Sequence, residues 1–180
     1  TTYKRTHQVK ISATDEMTEV RHVKYIWSTG ESAEPLNWDE ALEAREGTNV
    51  ECPLDTGEFY LHAKATDNVD NESYATSGPY YFDNTPPSIS ATPEPGKAAL
   101  SHSVKISVSD DHSGPGDIEY YWVNTEKGMQ YETYPISNGS FMTTPPEEGK
   151  YTLNIRALDK LGNEATLAVG DYVVDKTKPS

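Results

Sequence analysis

One pattern occurs twice in this chain of 180 residues, and the repeat constrains the fold more than any other feature. The segment 7–15 (HQVKISATD) returns at 102–110 (HSVKISVSD), an offset of 95 residues. The segment 57–67 (GEFYLHAKATD) returns at 149–159 (GKYTLNIRALD), an offset of 92 residues. A period of this length exceeds a solenoid repeat and corresponds to a whole small domain. The sequence therefore predicts two tandem modules.

A segment with two adjacent prolines, Asp83-Asn84-Thr85-Pro86-Pro87-Ser88, joins the copies. Pro lacks an amide donor and has a fixed φ, so Pro86-Pro87 disfavours a central strand and is expected to form a short, stiff connector. We expect module 1 to span residues 1–84 and module 2 residues 85–180, in an extended array. The same pattern closes the chain at 175–180, which predicts that this is a piece of a longer array.

Apolar residues alternate with polar ones in several short runs, which is the period of strands that bury one face. Turn formers such as Ser113-Gly114-Pro115-Gly116 and Gly162-Asn163 bound these runs. Several short strands at this spacing are typical of a β-sandwich or barrel. The alternation predicts inward-facing side chains at Val9, Ile11, Ala13, Val23, Tyr25, Trp27, Phe59, Leu61, Ala63 and Ala65, and at Val104, Ile106, Val108, Ile118, Tyr120, Trp122, Tyr151, Leu153, Ile155 and Ala157.

The charge of the chain excludes some classes of partner. A net charge of −14 and a pI of about 4.6 disfavour nucleic acid and anionic membranes, because both require basic surface. No run of 18 apolar residues occurs, so we expect no membrane insertion. Cys52 is the single cysteine, so no disulfide forms within the chain. Its counterpart in the second copy is Thr144, so the module does not need a cysteine there. This cysteine usage fits a bacterial exported protein or a cytosolic one.

The sequence carries no recognisable catalytic motif. Gly-x-Ser-x-Gly, His-Glu-x-x-His and phosphate-binding loops are all missing. The alternation places His7 and His102 one step off the inward face, so we predict surface polar residues there. His22, His62 and His112 form no spaced ligand set, which disfavours a zinc site. We therefore expect the fragment not to be an enzyme, and no cofactor other than Ca²⁺.

Both copies resemble bacterial immunoglobulin-like (Big-type) modules, which occur in S-layer proteins, adhesins and multi-module secreted glycosidases. The resemblance rests on Tyr25-x-Trp27, on Trp38, on the segment 57–71 and on Tyr80-x-Phe82-Asp83-x-Thr85-x-Pro87. Its most typical element is Ala-x-Asp-x-x-Gly-Asn, present as Ala157-x-Asp159-x-x-Gly162-Asn163. The first copy has Asp70 in place of the glycine, which either alters the turn or adds a carboxylate there.

The resemblance implies an all-β protein made of two tandem immunoglobulin-like β-sandwich domains. Strands B, C, F and G of the first module then correspond to 9–13, 23–27, 59–66 and 80–83. Trp27 and Trp122 occupy the core position that a strand-C tryptophan fills in such sandwiches. Trp38 is interpreted either as a lid on the sandwich edge or as a partly exposed contact residue.

Clustered acidic residues suggest a calcium site. Strand order places the B–C and F–G loops at one end of a sandwich, where several carboxylates would repel one another unless a cation intervened. The alternative interpretation is that Asp67 and Asp159 cap turns by accepting backbone hydrogen bonds. The predicted Ca²⁺ ligands are Asp83, Asp110, Asp111, Asp117, Asp159 and Asn163, and the same end of the first module carries Asp15, Glu16, Asp67, Asp70 and Asn71.

Three functions remain open on sequence alone. The leading hypothesis is a non-catalytic structural or adhesive spacer of a bacterial cell-surface or secreted protein, hence extracellular. The alternative is a carbohydrate-binding or accessory module of a secreted polysaccharide-degrading enzyme, with Trp38 and Tyr121 as ligand contacts. The third is a protein-binding receptor domain. The expected partners are neighbouring modules of the same chain and a host or cell-wall glycan or protein. An exposed aromatic row would favour the alternative, from among Trp38, Tyr60, Tyr74, Tyr80, Tyr81, Tyr121, Tyr131 and Tyr134.

Overall fold

A computed structural model describes residues 1–32, 36–137 and 139–179. The chain divides into two compact units, Thr1–Asn84 and Thr85–Ser180. All regular secondary structure in the described part of the chain is β, as the period-two pattern predicts, and every pair of strands is antiparallel. Within those same residues, no helix has the length and apolar character needed to cross a bilayer.

The first unit contains one four-stranded sheet with the order β2-β1-β3-β4. Predicted strands C and F lie inside β1 and β3, and predicted strand G is the end of the longer β4. A small core of Tyr25, Val50 and Leu61 lies against this sheet, with Trp27 partly buried beside it. The strands are β1 (Val20–Ser28), β2 (Leu42–Glu43), β3 (Gly57–Asp67) and β4 (Glu72–Phe82).

The second unit is a sandwich of two sheets, ordered β10-β6-β5 and β12-β11-β7-β8, with β9 also paired to β7. Alternate side chains of both sheets form one core in which Trp122 is 3% exposed, as predicted. One sheet carries the B strand and the other the C, F and G strands, which is the immunoglobulin-like arrangement. The strands are β5 (Ser88–Thr92), β6 (Val104–Ser109), β7 (Pro115–Asn124), β8 (Met129–Gln130), β9 (Tyr134–Ile136), β10 (Ser140–Thr143), β11 (Gly149–Asp159) and β12 (Glu164–Val174).

The predicted strand B of the first unit, Val9–Ala13, is not a strand, and this corrects the sequence interpretation. Its side chains still alternate between half-buried and exposed, and Val9 accepts a backbone hydrogen bond from Val50 at 2.9 Å. The equivalent strand of the second unit, β6, is hydrogen-bonded on both sides, to β5 and to β10. In the part of the first unit that the structure describes, no strand pairs with residues 9–13. A strand requires ladder partners, which a hydrophobic period alone does not supply.

The last strand of each unit bulges at the same place. Pairing between β3 and β4 shifts register beside Gly78, and pairing between β11 and β12 shifts beside Gly170. A Cβ on Gly78 would lie 2.8 Å from Cδ1 of Tyr60, and one on Gly170 would lie 2.6 Å from Oγ1 of Thr152. Both positions therefore require glycine, because the neighbouring strand approaches too closely for a side chain. The two units share this irregularity as well as their strand order.

Candidate functional site

The F–G turn of the second unit is built around the carboxylate of Asp159, which ends β11. Its Oδ1 accepts backbone hydrogen bonds from Leu161 and Asn163, each at 2.8 Å, and its Oδ2 accepts one from Asn163 Nδ2 at 2.6 Å. Burial raises the pKa of Asp159, but hydrogen bonds from Asn163, Leu161 and Ser113 outweigh burial and hold this pKa below its usual value. The carboxylate is 3% exposed, so it remains ionised inside the fold and fixes the turn.

The F–G turn of the first unit repeats this geometry around Asp67. The Oδ1 atom accepts hydrogen bonds from the amides of Val69 at 2.9 Å and Asn71 at 2.8 Å, and Asn71 Nδ2 donates to Oδ2 at 2.8 Å. Burial raises the pKa of Asp67, but the hydrogen bonds, including one from Thr18, bring it down to about 2. Both units therefore have the turn-capping role that was one of the two interpretations of these aspartates.

In the Ala-x-Asp-x-x-Gly-Asn element, the position that holds glycine in one copy and aspartate in the other keeps the same backbone conformation. Gly162 has φ +86° and Asp70 has φ +68°, so both are left-handed. Asp70 also forms an ion pair with Arg21 at 2.6 Å. The substitution leaves the turn unchanged and adds an exposed carboxylate. Of the two outcomes that the sequence left open, the second occurs.

The B–C loops are capped in the same manner. In the second unit, Asp110 Oδ1 accepts hydrogen bonds from the amides of His112 at 3.1 Å and Gly114 at 2.7 Å. In the first unit, Asp15 Oδ1 accepts them from Met17 at 3.0 Å and Thr18 at 2.6 Å. The backbone bonds from Thr18 and Met17 lower the pKa of Asp15. Each unit thus carries an amide-bound aspartate on both loops.

One hydroxyl group connects the two loops in each unit. Thr18 Oγ1 lies 3.0 Å from Asp15 Oδ1 and 2.9 Å from Asp67 Oδ2. In the second unit Ser113 takes this place, 3.5 Å from Asp110 Oδ1 and hydrogen-bonded to Asp159. A hydroxyl has one proton and can donate to only one carboxylate at a time. Sequence analysis missed this bridge, although the 95-residue offset aligns the two hydroxyl residues.

The predicted calcium ligands differ in burial. Carboxylate oxygens of Asp110 and Asp159 come within 4.8 Å of each other, so the structure brings these two together. Asp111 is exposed beside Asp110 on a shallow cavity, and Asp117 is exposed on β7. Asp83 is fully buried at the end of the first unit, where its amide donates to the Lys4 carbonyl at 3.0 Å. Their role as Ca²⁺ ligands stays a prediction.

The two predicted ligand-contact residues are only partly accessible. Trp38 is half-buried, with its ring 5.6 Å from that of Tyr74 and with Lys64 Nζ 5.5 Å from its centroid. This placement fits a lid on the edge of the sheet. Tyr121 lies on β7 on the side opposite to Trp122 and is half-buried.

The paired histidines differ from the prediction of surface polar residues. His7 is half-buried, packs edge-on against Phe82 at 5.0 Å and lies 3.2 Å from the Tyr81 carbonyl through Nε2. His102 is also half-buried, 5.5 Å from the ring of Tyr172 and 2.8 Å from the Val173 carbonyl. The reason is that the segment before strand B crosses the end of the last strand of its unit, which covers these rings.

The two units have cavities of different composition. A cavity of the first unit, 430 Å³, lies beside β2 and is lined mainly by polar residues such as Glu43, Asn49 and Glu51. That of the second unit, 320 Å³, is lined by aromatic side chains, among them Tyr120, Tyr131 and Tyr134. Of these two, the aromatic cavity has the composition of a ligand-binding pocket.

Comparison with known proteins identifies no family. No protein-family model and no curated protein matches the chain. Among solved structures it is similar to the fibronectin(III)-like modules of CbhA from Clostridium thermocellum, with a TM-score of 0.35 and 12% sequence identity. That match covers 93% of this chain and 86% of the other.

Proposed function

We propose that this chain is a pair of non-catalytic spacer modules that carry and separate other parts of a longer protein. The duplicated framework supports the proposal: each unit has its own core, its own capped turns and the same bulged last strand. In the second unit the core is formed entirely by residues 91–172. A spacer must hold its fold without help from a ligand or a neighbouring domain, and such a core is suited to that task.

We propose that the chain is part of a bacterial surface or secreted protein. In that setting it forms Big-type modules outside the cell. The sequence motifs shared with such modules support this setting. The net charge of −14 favours solubility and disfavours nonspecific binding to nucleic acid and anionic lipid. A role as an accessory module of a polysaccharide-degrading enzyme is the second candidate, and the aromatic cavity of the second unit favours it.

We further propose that Ca²⁺ binds at the loop end of the second unit. Asp110 and Asp159 bring carboxylate oxygens within 4.8 Å of each other, and oxygen ligands of this kind are those that Ca²⁺ prefers. Thermal unfolding with excess CaCl₂ and with excess EDTA tests this. A ligand present at one hundred times its dissociation constant stabilises the native state by about 2.7 kcal/mol. Equal melting temperatures in the two solutions would contradict the proposal that Ca²⁺ binds here.

The spacer proposal is tested by asking whether a unit folds alone. The fragment 85–180 should show a cooperative thermal transition that coincides with the second-unit transition of the full chain. Near-ultraviolet circular dichroism should report an ordered Trp122, since this is the only tryptophan in the fragment. A fragment with no cooperative transition would contradict the proposal, because a spacer module must be independently stable.

A further inference from the structure

The aromatic cavity of the second unit has the features of a built binding site. Its walls come from β7, β9 and β10, and so from both sheets, together with the segment between β8 and β9 and the loop after β10. Tyr120 and Trp122 form the floor, being 7% and 3% exposed, whereas Tyr134 is 46% exposed at the mouth. The cavity has a volume of 320 Å³, within the usual range of small-molecule sites.

The rings of Tyr120, Tyr134 and Phe141 are arranged differently from those deeper in the core. Tyr120 lies between Tyr134 and Phe141, with centroids 5.7 and 5.5 Å away and planes inclined by only 31° and 36°. In the core beneath, the ring of Trp122 packs edge-on against the rings of Tyr151 and Tyr172, at interplanar angles of 88° and 83°. Phe141 is 41% exposed. The three tilted rings therefore come from both sheets, and the two outer rings, those of Tyr134 and Phe141, are exposed while Tyr120 is buried between them.

Hydrogen-bond acceptors flank these rings. The Tyr131 hydroxyl donates to Glu147 Oε1 at 2.8 Å, and the Tyr134 hydroxyl lies 3.4 Å from Glu132 Oε2. The hydrogen bond from Tyr131 and the charge of Lys127 hold the pKa of Glu147 below its usual value, so this carboxylate is ionised at neutral pH. A ligand that reaches this site meets ring faces on one side and anionic acceptors beside them.

We infer that this groove binds a neutral polysaccharide chain. A sugar ring has an apolar face of C–H groups, which packs on an aromatic face, and an equatorial rim of hydroxyl donors, which suits carboxylate acceptors. The acidic flanks and the net charge of −14 disfavour anionic polysaccharides. The inference does not depend on the spacer proposal, because a module can project another domain and bind a glycan through its own edge.

Affinity electrophoresis of the full chain in gels containing hydroxyethylcellulose or arabinoxylan tests the inference, with alginate as a polyanionic control. The wild-type chain should be retarded by at least one neutral polysaccharide and not by alginate. Removing one stacking ring should weaken binding about threefold to tenfold, so Tyr134→Ala should migrate faster through the gel. Tyr134→Phe keeps the ring and should bind as the wild type does.

Two variants separate binding from folding. Leu100 is 73% exposed in the second unit and is not part of the cavity lining, so Leu100→Ala is an apolar control that should bind normally. If Tyr134→Ala lowers the melting temperature of the second unit, Phe141→Ala gives the same test with the exposed ring on the other side of Tyr120. Absence of retardation of the wild type by both neutral polysaccharides would overturn the inference, and so would equal retardation of the wild type and the two ring deletions.

Discussion

Replacement of Asp159 by alanine should destabilise the second unit strongly. The substitution removes the acceptor of four hydrogen bonds, two from backbone amides, one from the Asn163 side chain and one from the Ser113 hydroxyl. Asp159 and Asn163 are 3% and 6% exposed, so the freed donors regain little hydration. An unsatisfied buried donor costs about 1–3 kcal/mol, and partial relaxation of the turn brings the total to about 3 kcal/mol. At about 4–8 °C per kcal/mol, the second-unit transition should fall by about 12–24 °C.

Differential scanning calorimetry of the full chain measures this shift, with the first-unit transition as an internal reference. Asp117→Ala is the matched control, since Asp117 is exposed in the same unit and its replacement should change stability by less than about 0.5 kcal/mol. The measurement should be made in EDTA, so that loss of a metal ligand cannot contribute. A shift for Asp159→Ala no larger than that of the control would refute the argument that this carboxylate fixes the turn.

Three further outcomes follow from the contacts described above. Gly170→Ala should cost about 1–3 kcal/mol by urea denaturation, because the new Cβ would lie 2.6 Å from Thr152 Oγ1, whereas Gly96→Ala meets nothing within 4 Å and should be neutral. Asp70→Gly should stabilise the first unit by about 0.5–1 kcal/mol in the same assay, because a left-handed φ of +68° favours glycine; a loss of stability would contradict this. The pKa of Asp67 is lowered from 3.8 to about 2, so its stabilisation is present above pH 3.8 and is lost as the pH falls toward 2. In urea midpoints measured across this range, Asp67→Asn should flatten the dependence of first-unit stability on pH, and an unchanged slope would contradict the assignment.

The comparison of two equivalent segments explains how far sequence predicts this fold. The alternation Val9, Ile11, Ala13 and its copy Val104, Ile106, Val108 predict the same inward face, and both have it. Only the second forms a strand, because β5 and β10 supply its ladder. Periodicity reports which side chains are buried, but the backbone partner comes from elsewhere in the chain and leaves no signal in the segment itself.

The same distinction applies to the candidate sites: contacts within one turn could be predicted from the sequence, and contacts between distant segments could not. The amide-capping role of Asp159 could be predicted because the Asp and Asn that form it lie four residues apart in one turn. The hydroxyl bridge could not, since Thr18 and Asp67 are 49 residues apart and meet only when two loops fold together. Tyr134 was a candidate aromatic residue, but Phe141, which packs on the same ring of Tyr120, was not recognised, because Phe141 belongs to the other sheet.

Single-molecule force extension of the full chain, held at its two termini, tests the spacer proposal most directly. A pair of independent modules should unfold in two separate steps. At about 3.5 Å per stretched residue, less about 36 Å spanned by the folded strands, the steps should lengthen the chain by about 250 Å and about 300 Å. One combined step, or smooth extension without discrete steps, would contradict the account of two self-supporting modules.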